Sequence, residues 1–196
     1  MKLRGIATIS TGYSFRSRIK NDPQGNTFVI QMGDVDPLHG VLYDQLTKID
    51  FKSKNDRYSL LDGDIIMVSK GNNLNAYLVE EMRGNTIAVN SFMTIKIEHT
   101  SFQPAYITWY LNSSKVQHYI HQVAAGTGTP NLSKRLLGEI DIPFIDTKYQ
   151  NLIGNVDELS KKEAVILTEL QKKRKYVTEN TLQDAFEQMK KYDEPF

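Results

Sequence analysis

The sequence predicts an α+β protein: a mixed, mainly antiparallel sheet domain with packed helices over residues 1–145, then a long C-terminal helix over 146–196 that forms an antiparallel coiled coil. Three observations carry this. Short β-rich apolar runs between Thr27 and Ile97 have short connections, with no ten-residue helix between them, so a doubly wound parallel sheet is excluded. A helical apolar stripe follows Pro104. Between Phe144 and Glu194 there is one glycine, Gly154, and no proline, so nothing there must stop a helix.

Taken in order, Met1 to Ile9 forms a short helix or strand leading into Gly12-Tyr13-Ser14-Phe15-Arg16, where Gly12 supplies a turn and basic residues flank aromatics. Thr27 to Met32 is a strand ending at Gly33-Asp34-Val35-Asp36-Pro37, and Val41 to Phe51 is another. Ser59 to Asp64 turns into the buried strand Ile65–Val68, which opens into the polar loop Ser69 to Asn75. Ala76 to Val79, Thr86 to Val89 and Phe92 to Ile97 alternate as further strands.

Pro104 starts a helix running to about Val123, with Ile107, Tyr110, Leu111, Tyr119, Ile120 and Val123 on one stripe and Trp109 beside it. Ala125 to Asn131 is too rich in glycine for regular structure. Leu132 to Leu137 is a short helix, Ile140 to Phe144 a final strand, and Asp146 or Thr147 caps the long helix.

That helix, about 65 Å long at 1.5 Å per residue, exceeds the width of a domain of this size and needs a partner. Leu152, Val156, Leu159, Ile166, Leu170 and Val177 follow four-three spacing, broken by Glu163, Lys173 and Asn180, as in a coiled-coil seam. Nine basic and nine acidic residues from Lys148 onward make its surface neither a basic arm nor a membrane segment.

The 196 residues, 40% hydrophobic and 24% charged, hold one core plus the helix. The absence of cysteine excludes disulfides, thiolate metal sites and a cysteine nucleophile. No signal-like segment or eighteen-residue apolar run occurs, and the expected location is cytoplasmic, without a membrane partner. Net charge is only +1, but Lys2, Arg4, Arg16, Arg18 and Lys20 all precede the first acidic residue, Asp22.

No catalytic or metal constellation emerges. His118 and His121 share a helical face without a third ligand, and Asp34 and Asp36 read as a strand-ending turn. Asp62 and Asp64 ahead of Lys70 lack the second acid of a nuclease pattern, with Val68 and Ser69 in its place. Gly126 and Gly128 lack the spacing and lysine of a phosphate loop, and no Asp/Asn-Pro-Pro-aromatic tetrapeptide marks an adenine methyltransferase.

What remains are polar loops with side chains suited to DNA. Arg16, Arg18, Lys20 and Lys70 can reach phosphate or guanine, with Lys134 beside them. Asn72, Asn73 and Asn75 can donate and accept at adenine, and Thr127, Thr129 and Asn131 offer small hydrogen-bonding groups.

The ordered set Gly12 to Arg16, Val29 to Asp34 (VIQMGD), Leu61 to Ile66 (LDGDII), Tyr106 to Ser113 (YITWYLNS), Gly126 to Ser133 (GTGTPNLS), Leu137 to Pro143 (LGEIDIP) and Gln150 to Ile153 resembles one half of the DNA-specificity (S) subunit of type I restriction-modification systems. The resemblance implies a non-catalytic subunit that binds double-stranded DNA at a two-part site and recruits methyltransferase (M) and restriction (R) subunits. S-adenosylmethionine, ATP and Mg would then belong to those partners, with no cofactor in this chain. Such subunits carry two recognition domains and two antiparallel spacer helices. This chain departs from them with one of each and without the usual preceding tryptophan segment, so a homodimer or a second half-subunit is expected to complete it. The competing readings are a small stand-alone nuclease and an assembly or inhibitor protein that docks on a methyltransferase through the helix.

Overall fold

Strand Ile65–Val68 has four successive buried residues, the pattern of a strand covered on both faces. In the computed structural model, which describes residues 1–52, 56–82, 84–124 and 130–192, it lies inside an antiparallel four-stranded sheet. With β1 Ala7–Thr11, β2 Thr27–Ile30, β3 Val35–Asp36, β4 Gly40–Val41, β5 Thr47–Ile49, β6 Ile65–Val68, β7 Ala76–Leu78, β8 Thr86–Ala88 and β9 Phe92–Ile97, that sheet runs β1-β9-β6-β7. A second sheet runs β5-β2-β8, its β2–β8 pair parallel, and β3 pairs with β4 in a two-stranded antiparallel ribbon. The mixed, mainly antiparallel class follows directly.

Helices α1 Pro104–Asn112, α2 Ser114–Ala124 and α3 Lys134–Gly138 contribute Tyr106, Ile107, Leu111, Val116, Ile120 and Leu137 to a core shared with Ile65, Ile66, Phe92 and Ile95. Trp109 is partly buried and stacks on Tyr106 with ring centroids 6.0 Å apart.

Four local expectations are corrected. The single helix from Pro104 to Val123 is two, because Ser113 is extended and its hydroxyl donates to the Tyr110 carbonyl at 2.7 Å. Gln117 Nε2 donates to the Leu111 carbonyl freed there, while Asn112 pairs both ways with the backbone of Ala76 at 2.8 Å, covering the edge strand β7. The run Val41 to Phe51 is interrupted by a 3-10 turn at Tyr43–Gln45, whose Tyr43 hydroxyl is held by the Glu80 N–H. Ile140 to Phe144 forms no ladder beyond a bridge between Lys2 and Asp141. Gly12 has no positive φ and so is not a turn glycine; a Cβ there would lie 2.3 Å from the Val89 carbonyl oxygen and 2.5 Å from that of Ala88, and its role is close backbone approach.

Helix α4 spans Thr147–Tyr192, with the Asp146 carboxylate accepting the Lys148 N–H at 2.8 Å as the cap. The compact unit extends past the start of this helix, to Asp157, and Glu158–Phe196 forms a second unit. Gln150, Ile153, Gly154 and Asp157, spaced as one helical face, are buried or half-buried in the first unit. Gln150 is fully buried; its amide accepts the Gln103 N–H and donates to the carbonyls of Ser101 and Ile145. A Cβ on Gly154 would approach that of Ala105 to 2.9 Å, so glycine permits this docking. Among the described residues no helix is long and apolar enough to cross a membrane.

Candidate nucleic-acid interface

Strand register decides where the polar loops emerge. Thr11 at the end of β1 faces Met93, and Val68 at the end of β6 faces Phe92, so both strands terminate where β9 begins. The loops after β1 and β6 therefore leave the same end of the sheet. The turn before β9 ties them down: Tyr13 N–H donates to Ala88 at 2.7 Å, Gly12 N–H to Phe92 at 3.0 Å, and Ser69 donates from both its N–H and hydroxyl to the Ser91 carbonyl. Asn90 returns a bond to the Tyr13 carbonyl and another to the Ser14 hydroxyl.

A third segment joins this end. Leu132 N–H donates to Ser69 at 2.8 Å and Gly71 N–H to Pro130 at 3.0 Å, which makes Lys70 and Asn131 an antiparallel bridge. These flanking bonds define a non-hydrogen-bonded pair, whose Cα atoms stand about 4.5 Å apart with both side chains on one face. Lys70 and Asn131 are both exposed, so a cation and an amide point outward side by side.

Arg16, Arg18 and Lys20 are exposed in the loop after β1, Asn72 and Asn73 are exposed after β6, and Lys134 is exposed at the first turn of α3. Among the described residues these lysines and arginines, with Lys70, form no ion pair, which leaves their charge available to an anionic partner. Asn75 differs: it is half-buried and its backbone carbonyl accepts the Val68 N–H at 3.0 Å, so it shapes the loop. Thr127 and Thr129, with Gly126 and Gly128, lie outside the described residues.

Sequence reasoning missed the support under the basic loop. Tyr13 is the centre of an aromatic cluster, edge-on to Phe15, Phe51 and Tyr58 at 4.8, 4.9 and 5.1 Å. Arg57 lies 4.5 Å from the Tyr58 ring and adds a cation beside that cluster. Phe15 was visible as a near neighbour of Tyr13. Phe51 and Tyr58 come from some forty residues away, and no periodicity announces them.

The acidic residues are engaged in turns. Asp34 accepts the Gln31 N–H and Asp64 the Leu61 N–H, with Lys96 3.4 Å from Asp64; burial raises both carboxyls above their ordinary value. Asp36 is held below the ordinary value by the backbone N–H and ring of His39. Among the described residues no three His, Cys, Asp or Glu gather as a metal site, and His118 contacts Gln122.

On α4, Leu152, Val156, Leu159, Ile166, Leu170 and Val177 are each 57–64% exposed. At about 100° per residue, Leu152 and Val156 lie on the side of the helix away from Gln150 and Gly154. Leu167 borders this seam. Leu182, Phe186 and Met189, also exposed, keep four-three spacing but fall more than 90° round the helix, a change of frame after Asn180 that the heptad reading did not register.

No protein-family model and no curated protein matches the sequence. Solved structures do match. The S subunit of the type I restriction-modification system from M. genitalium superposes with a TM-score of 0.57 at 16% identity, over 87% of this chain and 40% of its own. The fold is that of a type I S subunit. The HsdS subunit from Thermoanaerobacter tengcongensis gives 0.61 at 14% identity over 87% and 39%. A chain from work on complex assembly and conformational transition of the type I R-M system gives 0.62 at 14% identity over 94% and 42%. The chain thus spans about two fifths of the length of each of these chains.

Proposed function

We propose that this chain is a non-catalytic DNA-recognition subunit of a type I restriction-modification system, working in the cytoplasm with M and R subunits that hold S-adenosylmethionine, ATP and Mg. The S-subunit fold over 87–94% of the chain is the observation that carries this reading. The first unit binds one half of a two-part double-stranded DNA site. Arg16, Arg18, Lys20, Lys70 and Lys134 neutralise phosphates, and Asn72, Asn73 and Asn131 discriminate bases at about 1–3 kcal/mol for a good bidentate pair. A second copy, joined through the exposed seam of α4, supplies the other half. The 46-residue helix, about 69 Å at 1.5 Å per residue, is the spacer between them.

Two identical units related by a two-fold axis require an inverted-repeat target. Methylome sequencing with the chain present and absent is expected to show a motif of two inverted halves that depends on the chain. An unchanged methylome refutes the recognition role, and unrelated halves refute the homodimer. In duplex binding, Arg18→Ala and Lys70→Ala are each expected to lower affinity across sequences and to reduce the slope of log affinity against log salt by about one. An unaltered slope removes that residue from the phosphate contacts.

A further inference from the structure

Two charges stand among the apolar seam positions of α4, and their placement selects one way for two copies to fit. We infer that a second copy of this chain packs antiparallel on the seam in the register that sets Glu163 of each copy against Lys173 of the other. This rests on the homodimer reading above.

The seam consists of two sets of positions seven residues apart. Tyr149, Val156, Glu163, Leu170 and Val177 form one, and Leu152, Leu159, Ile166, Lys173 and Asn180 the other. In an antiparallel pair of helices each member of one set faces a member of the other set on the partner, so allowed registers differ by whole heptads. With Glu163 against Lys173, Leu170 meets Ile166 and Val177 meets Leu159, each twice by symmetry, and Val156 meets Asn180. Apart from that last pair, apolar meets apolar and charge meets opposite charge between 156 and 180; beyond Asn180, where the apolar positions change frame, Asp184 and Glu187 come opposite Leu152 and Tyr149.

Neighbouring registers do worse. One heptad away, Glu163 faces Ile166 and Lys173 faces Val156. A further heptad sets Glu163 against Leu159, and a heptad in the other direction sets Lys173 against Leu170. Each of these buries a charge against an apolar side chain. The edges compete only weakly. In the inferred register Leu167 meets its own copy on one edge and Glu169 meets its own copy on the other, whereas the neighbouring register would bring Lys162 toward Glu169. An exposed pair of that kind contributes less than an unpaired desolvated charge costs, so the core positions decide. Both Glu163 and Lys173 are exposed in the single chain, which leaves them open to a partner.

The test is charge exchange in the full chain, read by sedimentation. Glu163→Lys alone and Lys173→Glu alone each set like charges opposite one another and are expected to weaken the homodimer at least tenfold. An equimolar mixture of the two variants is expected to recover wild-type affinity as a heterodimer, because the lysine introduced at 163 then faces the glutamate introduced at 173. Because the chain has no cysteine, Leu159→Cys mixed with Val177→Cys is expected to cross-link on oxidation faster than Leu159→Cys mixed with Leu170→Cys, which reports the register one heptad away. A wild-type dimer whose single variants bind unchanged, a mixture with no heterodimer preference, or faster 159–170 cross-linking overturns the register. A monomeric wild-type chain overturns the homodimer reading itself.

Discussion

Gly12→Ala is the substitution that most directly joins stability to the binding face. The added Cβ would sit 2.3 Å from the Val89 carbonyl oxygen, 2.5 Å from that of Ala88 and 2.8 Å from the Val89 carbonyl carbon. These are backbone atoms and cannot swing aside, so relief requires the chain at Gly12 to move away from the Ala88–Phe92 turn by about 1 Å. Such a shift breaks the bonds from Tyr13 to Ala88 at 2.7 Å, from Gly12 to Phe92 at 3.0 Å and from Asn90 to Tyr13 at 2.9 Å. At about 0.5–1.5 kcal/mol each the loss is about 3 kcal/mol, a large part of the 5–15 kcal/mol of an ordinary domain. The basic loop loses its anchorage at the same time, so duplex affinity falls with stability. Urea unfolding and duplex titration measure the two effects. Gly33→Ala, where an added Cβ meets nothing within 4 Å, is the control and is expected to stay within about 0.5 kcal/mol of wild type. A Gly12→Ala loss no larger than the control's refutes the reasoning.

Three further outcomes follow from the same geometry. Gln150→Leu leaves the Gln103 N–H and the Ser101 and Ile145 carbonyls without their partner and is expected to cost about 3 kcal/mol or more in denaturant unfolding. Tyr13→Phe keeps the three ring contacts and is expected to be near neutral, whereas Tyr13→Ala removes them at about 0.5–1.5 kcal/mol each and weakens DNA binding; equal behaviour of the two would deny the ring its role. Asp64 has its carboxyl raised by burial above 3.8, against the Leu61 N–H and Lys96, so its protonated form is the one the fold favours. The stability from that form is complete below the unfolded-chain value and lost as pH rises through the raised one. Wild type is therefore expected to lose stability relative to Asp64→Asn as pH rises from about 3 until the raised value is passed, and a pH-independent difference would contradict this.

The polar loop at Lys70 to Asn75 was legible because glycine and asparagine cluster after a buried strand, and most of its candidate side chains are exposed. That it lies beside Asn131 was not legible, because a backbone bridge between residues sixty apart leaves no periodic trace. Asn75 was misleading for a related reason: an asparagine fits base reading as well as loop support, and only its partial burial and its bond to Val68 separate the two. The break at Ser113 had a local signal in Asn112-Ser113-Ser114, yet the stop depends on Asn112 finding the edge of β7, a tertiary event. Lys2, Arg4 and the later basic residues formed one run in sequence, but Lys2 and Arg4 are held by Asp141 and Glu139, leaving Arg16, Arg18 and Lys20 as the exposed part.

By itself the sequence determined the long helix, its start at a cap on Asp146 or Thr147, its four-three seam and the β-rich character of the first unit. Each of these rests on neighbours within a few residues: permitted dihedrals, side-chain period and capping chemistry. Tertiary structure alone decided that Gly12 is a point of close approach and that three separate loops meet at the start of β9. It also decided that Gln150 and Gly154 turn one face of α4 onto the first unit while the seam stays exposed. Those outcomes depend on strand register and on which distant backbone groups satisfy one another, and such pairings are set by the folded arrangement of the whole unit.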